Sequence, residues 1–329
     1  MPARIAAKIA AMADTLTCLQ FLSAEHFTSG ADIAASLGVS RASVSTALAS
    51  AEDYGVTLTR RTGAGYRLST PIEWLSRDRV LAALPAGSHI DIDVVARTDS
   101  TNRRLLAAPV HGKALVAEWQ DGGRGRLGRR WLAQLGGSLM FSLGWRFEGG
   151  TAGLSGLSLA VGAIVAGALA DAGVAAVRLK WPNDLLLDGA KVGGILIEIS
   201  GDAMGPTDAV IGIGLNLIAP AAVTDQACAG LAGHGLVPGR NALLAQLLTA
   251  LESGLAEFTE HGFAPFKQRW ESFSAWQGQQ VELVAPDGSR RAGVLAGLAD
   301  DGSLRLTTDA GELVVHTGDL SLRRTEPAR

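Results

Sequence analysis

Between residues 77 and 272, apolar runs of strand length alternate with longer helical stretches, and this restricts the fold more than any other feature of the chain. Residues 90–95, 114–119, 139–145, 192–199 and 210–217 read as strands, whereas 157–172 and 242–260 read as helices. Several such strands side by side imply a mixed sheet with helices covering one face. The flanks have other rhythms. Thr28-Ser29-Gly30 precedes a helix over 31–37 in which Ile33, Ala34 and Leu37 share a face, Gly38-Val39 makes a tight turn, and Ser40 caps a second helix over 42–53. Strands at 55–59 and 65–68 around Gly63 then form a wing. At the other end, runs at 281–284, 291–298, 303–307 and 312–316 are separated by Asp287-Gly288, Asp301-Gly302 and Ala310-Gly311, which is hairpin punctuation and predicts a small barrel.

The 329 residues suit two or three domains, expected at 1–70, 77–272 and 273–329, and a 47% hydrophobic fraction is ample for their cores. A net charge of -3 argues against polyanion binding over the whole surface. Cys18 and Cys228 lie far apart without metal-ligand spacing, which fits a reducing cytoplasm. Arg4 and Lys8 interrupt the N-terminal apolar runs, so no signal peptide is expected. The uncharged run at 149–170 is long enough to span a bilayer, but it is rich in Gly and Ser and ends at Asp171 and Gly173; a buried helix on a sheet is expected, and no membrane.

Gly123-Arg124-Gly125-Arg126-Leu127-Gly128-Arg129-Arg130-Trp131 combines glycines that let backbone approach a ligand with four fork-shaped cations suited to carboxylate and phosphate oxygens. Taken alone, such a loop suits nucleic acid or solvent as well. No G-x-x-x-x-G-K-[ST] occurs, so the phosphates of a nucleotide are not cradled by a P-loop. Gly212-x-Gly214 leads into Pro220 rather than a helix, which disfavours a dinucleotide fold.

Taken together with Ser100-Thr101-Asn102, Glu118-Trp119-Gln120, Lys180-Trp181-Pro182-Asn183-Asp184, Lys191-Val192-Gly193-Gly194-Ile195-Leu196-Ile197-Glu198 and Gly212-Ile213-Gly214-Leu215-Asn216, that loop falls in an order and spacing that closely resemble a biotin protein ligase. The resemblance runs from about Asp14 to the C-terminus, and the layout is similar to the bacterial type that is both ligase and biotin operon repressor. It implies an α+β chain: an N-terminal winged helix-turn-helix, a central mixed sheet with helices like that of class II aminoacyl-tRNA synthetases, and a C-terminal SH3-like β-barrel. The implied reaction joins biotin and ATP into biotinoyl-5'-AMP and passes biotin to a lysine of the biotin carboxyl carrier protein of acetyl-CoA carboxylase or of another biotin-dependent carboxylase.

A carboxylate attacking an α-phosphate brings two anions together, and Arg124, Arg126 and Lys191 are the cations expected to lower that repulsion, with no protein nucleophile needed. By resemblance, Ser100, Thr101, Asn102 and Gln120 meet the ureido ring, whose two N–H donors and one carbonyl need neutral partners, while Gly123, Arg124, Gly125, Arg126 and Lys191 complete the biotin site. Arg126, Arg129, Trp131, Asn183, Lys191, Gly194 and Asn216 are the expected ATP contacts, and Asn183 or Asp184 is expected near Mg2+ carried on phosphates. Plainer roles stand beside these: a helix N-cap for Ser100-Thr101-Asn102, core packing for Trp131, a turn held by Lys180 and Asp184, and a bulge at Gly193-Gly194.

Residues 1–70 carry a net charge of only +1, but Arg41 opens the second helix and Arg60, Arg61 and Arg67 sit on the wing; Ser40, Arg41, Ser43, Arg60 and Arg61 are the expected DNA contacts. The helix after Ser40 is short of long polar side chains, unlike the family's better-known members. A dimer would double the phosphate contacts, so a ligand-promoted homodimer on operator DNA is expected, with the adenylate as corepressor. Three rivals remain: a lipoate or octanoyl ligase with a pocket for an alkyl chain, a monofunctional ligase whose winged domain does not repress, and a metabolite-sensing DNA-binding regulator, which has no need of Lys191.

Overall fold

Three N-terminal helices start where a side-chain oxygen takes a backbone N–H that the helix itself leaves unpaired. Asp14 accepts from Thr17 N at α1 (Thr15–Leu19), Ser29 from Ala31 N at α2 (Gly30–Leu37), and Ser40 from Ser43 N at α3 (Arg41–Ala49). Gly38, at φ +66°, makes the left-handed turn between α2 and α3 that a side chain would strain. The helix expected over 42–53 stops at Ala49 and passes into a 3-10 turn, Ala51–Tyr54, ended by Gly55 at φ +72°. Leu16, Leu19, Ile33, Val44, Leu48 and Leu68 are 0–2% exposed and form the core of this unit. The antiparallel pair β1 (Leu58–Arg61) and β2 (Gly65–Leu68) is the wing.

The computed structural model describes residues 13–220, 226–235, 239–285, 287–316 and 320–324. It divides the chain into two compact units, Met1–Trp74 with Gln134–Gly136, and Leu75–Ala133 with Gly137–Arg329.

The second unit is built on a seven-stranded sheet. In chain order its elements are α4 (Arg77–Ala83), β3 (Asp91–Thr98), α5 (Thr101–Leu106), β4 (Lys113–Gln120), β5 (Ser138–Phe147), α6 (Leu157–Asp171), β6 (Arg178–Lys180), β7 (Asp184–Leu187), β8 (Ala190–Gly201), β9 (Thr207–Asn216), α7 (Arg240–His261) and α8 (Ala264–Phe273). The strand order is β3-β4-β5-β9-β8-β7-β6, with β3 and β4 parallel and the other neighbours antiparallel, so the sheet is mixed. The hairpin β6–β7, helices α4, α5 and α8, and a bulge at Val192 of β8 join the elements legible in the sequence.

The two-residue period of a strand sorts its side chains between the two faces of the sheet. Leu139, Phe141 and Leu143 of β5, Ile195 of β8, and Ile211, Ile213 and Leu215 of β9 join the main apolar core with α6, α7 and α8. The alternate positions, Ser142, Glu198, Gly212 and Gly214, belong to the opposite face, where α5 lies. This is why α6 is apolar all round: Leu159, Ala160, Val161, Val165, Ala166 and Leu169 are 0–1% exposed within the core. With its preceding turn, α6 is the one described stretch long and apolar enough to cross a membrane, and it is a core helix here.

The C-terminal strands β10 (Gln280–Val284), β11 (Arg290–Leu298), β12 (Leu304–Thr308), β13 (Gly311–Val315) and β14 (Ser321–Arg324) form an antiparallel sheet in the order β13-β12-β11-β10-β14. Val281, Leu295, Leu304, Leu306 and Leu322 share the core of the large sheet, and Trp181 Nε1 donates to Gly302 O at 3.3 Å, so these strands belong to the same unit.

Candidate active site

One cleft of about 820 Å³ opens on the α5 face of the large sheet. It brings together Ser100, Thr101, Asn102, Gln120, Arg124, Gly125, Arg126, Arg129, Trp131, Asn183, Asp184, Lys191, Gly194 and Asn216, residues more than a hundred positions apart in the chain. Gly123 stands just outside it: its carbonyl accepts from Trp131 N at 2.9 Å, which with Gly125 N to Arg129 O at 2.7 Å folds the loop back on itself.

The floor is a chain of neutral hydrogen bonds. Ser100 does cap α5, its Oγ accepting from Arg103 N at 3.4 Å, so the cap and the cleft share one segment. Thr101 N and Oγ1 both donate to Gln120 Oε1, at 2.7 and 3.2 Å. Ser142 Oγ lies 2.7 Å from Thr101 Oγ1 and 2.5 Å from Asn102 Oδ1. Asn102 Nδ2 donates to Leu196 O at 3.0 Å and to Glu198 Oε2 at 2.9 Å. Gln120 Nε2 rests 3.2 Å from the Met140 sulfur, a weak acceptor.

Cations line the other side. Arg124 reaches Glu198 Oε2 at 2.8 Å, and Arg126 donates to Asn183 Oδ1 at 3.4 Å. Lys191 Nζ sits 2.5 Å from Asp184 Oδ1, and Lys180 Nζ 3.0 Å from Oδ2. Burial alone would push the Asp184 carboxyl up; the two ammoniums outweigh it and hold the group below the usual carboxylate range. Because both oxygens of Asp184 are taken by lysines, and Asn183 Nδ2 donates to Ile195 O at 2.7 Å while its Oδ1 accepts from Arg126, this pair does not fit a divalent cation held directly by the protein. Among the described residues no cluster of His, Cys, Asp and Glu suits a metal ion either.

Gly212 and Gly214 have a steric reason. A Cβ on Gly214 would lie 2.6 Å from the Trp131 ring, and one on Gly212 would collide with Asn102. The Gly-x-Gly is therefore a bare stretch of strand against which a tryptophan and an amide lie, rather than a strand-to-helix turn, and the dinucleotide alternative falls with it. Gly193 faces the other way, toward Leu215 and Leu185. Ser142 and Glu198 were not expected in this network, nor were Trp276 and residues 320–324 in the lining, whereas the pairing of Lys180 with Asp184 is the one expected of the turn. Arg323 and Arg324 of β14 carried no motif, and only the pairing of β14 with β10 brings them to the cleft.

In the N-terminal unit Arg41, Arg60 and Arg61 are exposed. Arg61 and Arg67 lie 4.4 and 4.9 Å from the centre of the Phe27 ring, and Arg60 donates to Leu48 O at 3.4 Å. Ser40 Oγ is spent on its helix cap, Ser43 Oγ accepts from Ala13 N at 2.8 Å, and Ser45 Oγ is 3.3 Å from Tyr66 OH. Ser40 and Ser43 thus accept within the unit and keep their O–H groups to donate, beside the exposed arginines of the wing.

A mixed sheet whose polar face carries an arginine loop and a lysine paired with a buried aspartate, preceded by a winged helix-turn-helix, defines a class of ligase with a nucleic-acid-binding unit. Residues 94–216 match the model of the biotin/lipoate A/B protein ligase family, and residues 15–67 that of an HTH domain. The chain is 35% identical over 317 residues to the bifunctional ligase/repressor BirA of Escherichia coli (strain K12), covering 94% of this chain and 98% of the relative. It is also 35% identical over 241 residues to a biotin–[acetyl-CoA-carboxylase] ligase of Paracoccus denitrificans, covering 69% of this chain and 98% of that one. The biotin protein ligase of Aquifex aeolicus, solved in complex with biotin and ATP, superposes with a TM-score of 0.62 at 32% identity over 71% of this chain and 99% of its own. The chain belongs to the biotin protein ligase family, in the bifunctional ligase/repressor branch that carries an N-terminal helix-turn-helix.

Proposed function

We propose that the protein is an ATP-dependent biotin ligase that makes biotinoyl-5'-AMP and transfers biotin to one lysine of a biotin carboxyl carrier protein, and that it also represses transcription in response to biotin. The observation that carries this reading is the floor of uncharged polar side chains, Thr101, Asn102 and Gln120, held from behind by Ser142 and lying in one cleft with Arg124, Arg126 and Lys191. Asn102 has spent both amide hydrogens, so its Oδ1 and the neighbouring hydroxyls accept from the two ureido N–H groups, while Gln120 Nε2 exchanges a weak sulfur partner for the ureido carbonyl. A plain alkyl chain would offer Gln120 Nε2 nothing better than its sulfur partner and would bring no donor to the Asn102 oxygen or the hydroxyls, which disfavours a lipoate or octanoyl substrate.

Biotin's carboxylate attacks the α-phosphorus, the bond to pyrophosphate breaks, and an acyl phosphate anhydride remains; the carrier lysine then attacks the acyl carbon and AMP leaves. Arg124, Arg126 and Lys191 offset the repulsion between the two anions and the charge developing on phosphoryl oxygens. Asp184 keeps the Lys191 ammonium in place, and because Lys180 shares the same carboxylate the three groups stay net cationic toward the phosphates. Arg129, Trp131, Asn183, Gly194 and Asn216 are assigned to the nucleotide, and Ser100, Gly123 and Gly125 to biotin. Mg2+ stays with the phosphates rather than with Asn183 and Asp184.

Residues 1–70 bind operator DNA through Ser40, Arg41, Ser43, Arg60 and Arg61, the reaction centre lies within 77–272, and 273–329 closes it as an SH3-like domain. Adenylate promotes a homodimer, which supplies the second half of the operator contact, and free thiols at Cys18 and Cys228 suit a cytoplasmic protein. Incubation with radiolabelled biotin, ATP and a carrier domain tests the ligase: label on the carrier lysine is expected, and label that stays free with all three present overturns it. Operator binding at low salt with and without biotin plus ATP tests the repressor.

A further inference from the structure

We infer that Glu198 is the positioning residue of the biotin site: one carboxylate oxygen fixes the amide of Asn102 on the floor and the guanidinium of Arg124 in the loop at the same time. This rests on the proposed biotin ligase reading and adds to it a residue that does not itself line the cleft.

Glu198 Oε2 accepts from Asn102 Nδ2 at 2.9 Å and from Arg124 Nη2 at 2.8 Å. The two donors come from α5 and from the segment after β4, while Glu198 stands on β8, so three separate stretches of chain meet at one atom. With Nδ2 held by Glu198 and by the carbonyl of Leu196, the reversed amide would face its oxygen toward two acceptors and lose the hydrogen bond from Ser142. Glu198 therefore makes Asn102 an acceptor toward the cleft, which is what a ureido N–H needs. On the loop side Glu198 takes one end of the Arg124 fork, and Nε, buried and without a hydrogen-bond partner among the described residues, is left over. An anchored fork loses less freedom when it meets a carboxylate or phosphate than a free one does. The strand period explains why Glu198 can do this: it shares the site face of β8 with Gly194, while Ile195 and Ile197 turn to the core.

The test is steady-state pyrophosphate release by the full chain, varying biotin and ATP separately. Glu198→Ala is expected to raise the KM for biotin about 10-fold or more, the scale of one hydrogen bond to a charged group, while the KM for ATP and the melting temperature change little. Glu198→Gln, which keeps the shape and loses the charge, is expected to recover part of the loss and carries the test if the alanine variant does not fold. In an Arg124→Ala background, Glu198→Ala is expected to cost about a third as much or less, since one of the two groups it positions is gone. An unchanged KM for biotin, equal rises for biotin and ATP, or the same cost in both backgrounds would overturn the inference. A wild-type enzyme that releases no pyrophosphate in the presence of biotin would instead overturn the ligase reading itself.

Discussion

Replacing Gly214 by alanine should separate the site from the fold. A Cβ there would stand 2.6, 2.8 and 3.1 Å from three atoms of the Trp131 ring, well inside van der Waals contact, with no backbone atom among the three. The sheet is fixed by β5 and β8 on either side of β9, whereas Trp131 ends a loop, so the ring must give way. Overpacking of this kind costs about 1–3 kcal/mol, which appears as a rise of roughly 5- to 150-fold in the KM for ATP, the substrate to which Trp131 is assigned. The neighbouring case reverses the outcome. A Cβ on Gly193 would lie 2.6 Å from Leu215 and 3.0 Å from Gly214 O, on the core face, so Gly193→Ala should lower the melting temperature more than it raises the KM. Pyrophosphate release as a function of ATP, together with thermal melts of both variants, reads the two effects. If Gly214→Ala shows wild-type KM values, or melts early like Gly193→Ala, the reasoning about faces is wrong.

Lys191→Ala should slow adenylate formation about 100-fold or more, measured as pyrophosphate release, because it removes one preorganised charge; near-normal release would sink its assigned role. The same substitution removes one of the two ammoniums that depress the Asp184 carboxyl. A depressed folded-state value contributes stability that is present above the unfolded value of about 4 and is lost as pH falls through the folded value. Lys191→Ala should therefore lose stability on acidification at higher pH than the wild type, as read by melts between neutral and acid pH. Arg240→Met should destabilise the larger unit by about 3–5 kcal/mol in denaturant, because it strands Glu118 at 3% exposure where Arg240 Nη1 now lies 2.8 Å away; a loss below about 1 kcal/mol would show the pair to be dispensable. Each of Arg60→Ala and Arg61→Ala should lower the salt slope of DNA binding by about 1, and unchanged slopes would remove the wing from the interface.

The motif residues were legible because each is constrained by chemistry that few residue types satisfy. Gly212 and Gly214 tolerate no side chain against Asn102 and Trp131, Lys191 pairs with a buried aspartate, and Ser100 caps the helix whose first turn forms the floor. The large strands were legible from apolar runs, since β5 and β9 are buried along nearly their whole length. The hairpin of β6 and β7 was not: three and four residues long, it reads as an extension of the Lys180–Asp184 motif, and only its pairing with β8 makes it a strand pair. Helices α4 and α5 span seven and six residues, too few for a periodic pattern to emerge, so their packing decides them. Glu198 stood in a quoted motif yet carried no role, because a lone glutamate at the end of an apolar strand says nothing about which side chains will reach it. Arg323 and Arg324 sit in the site by tertiary pairing alone.

Three of the buried polar atoms without hydrogen-bond partners among the described residues gather at the site, whereas others, such as Arg67 Nε and Ser274 Oγ, lie elsewhere. Buried side-chain atoms in a native protein are nearly all hydrogen-bonded, and each that is not costs stability. Arg124 Nε, Trp131 Nε1 and Asn216 Oδ1 have no such partner among the described residues, and all three side chains line the one cleft. Two are donors and one is an acceptor, so no single ion would satisfy them; a molecule carrying both anionic oxygens and N–H or O–H donors would. Biotinoyl-5'-AMP carries both, with phosphoryl oxygens beside an adenine amine, ribose hydroxyls and ureido N–H groups, and ATP and biotin each bring part of the same set. The loop, Trp131 and Asn216 therefore hold hydrogen-bonding capacity in reserve for a ligand, and the cost of leaving it unmet is recovered when that ligand binds.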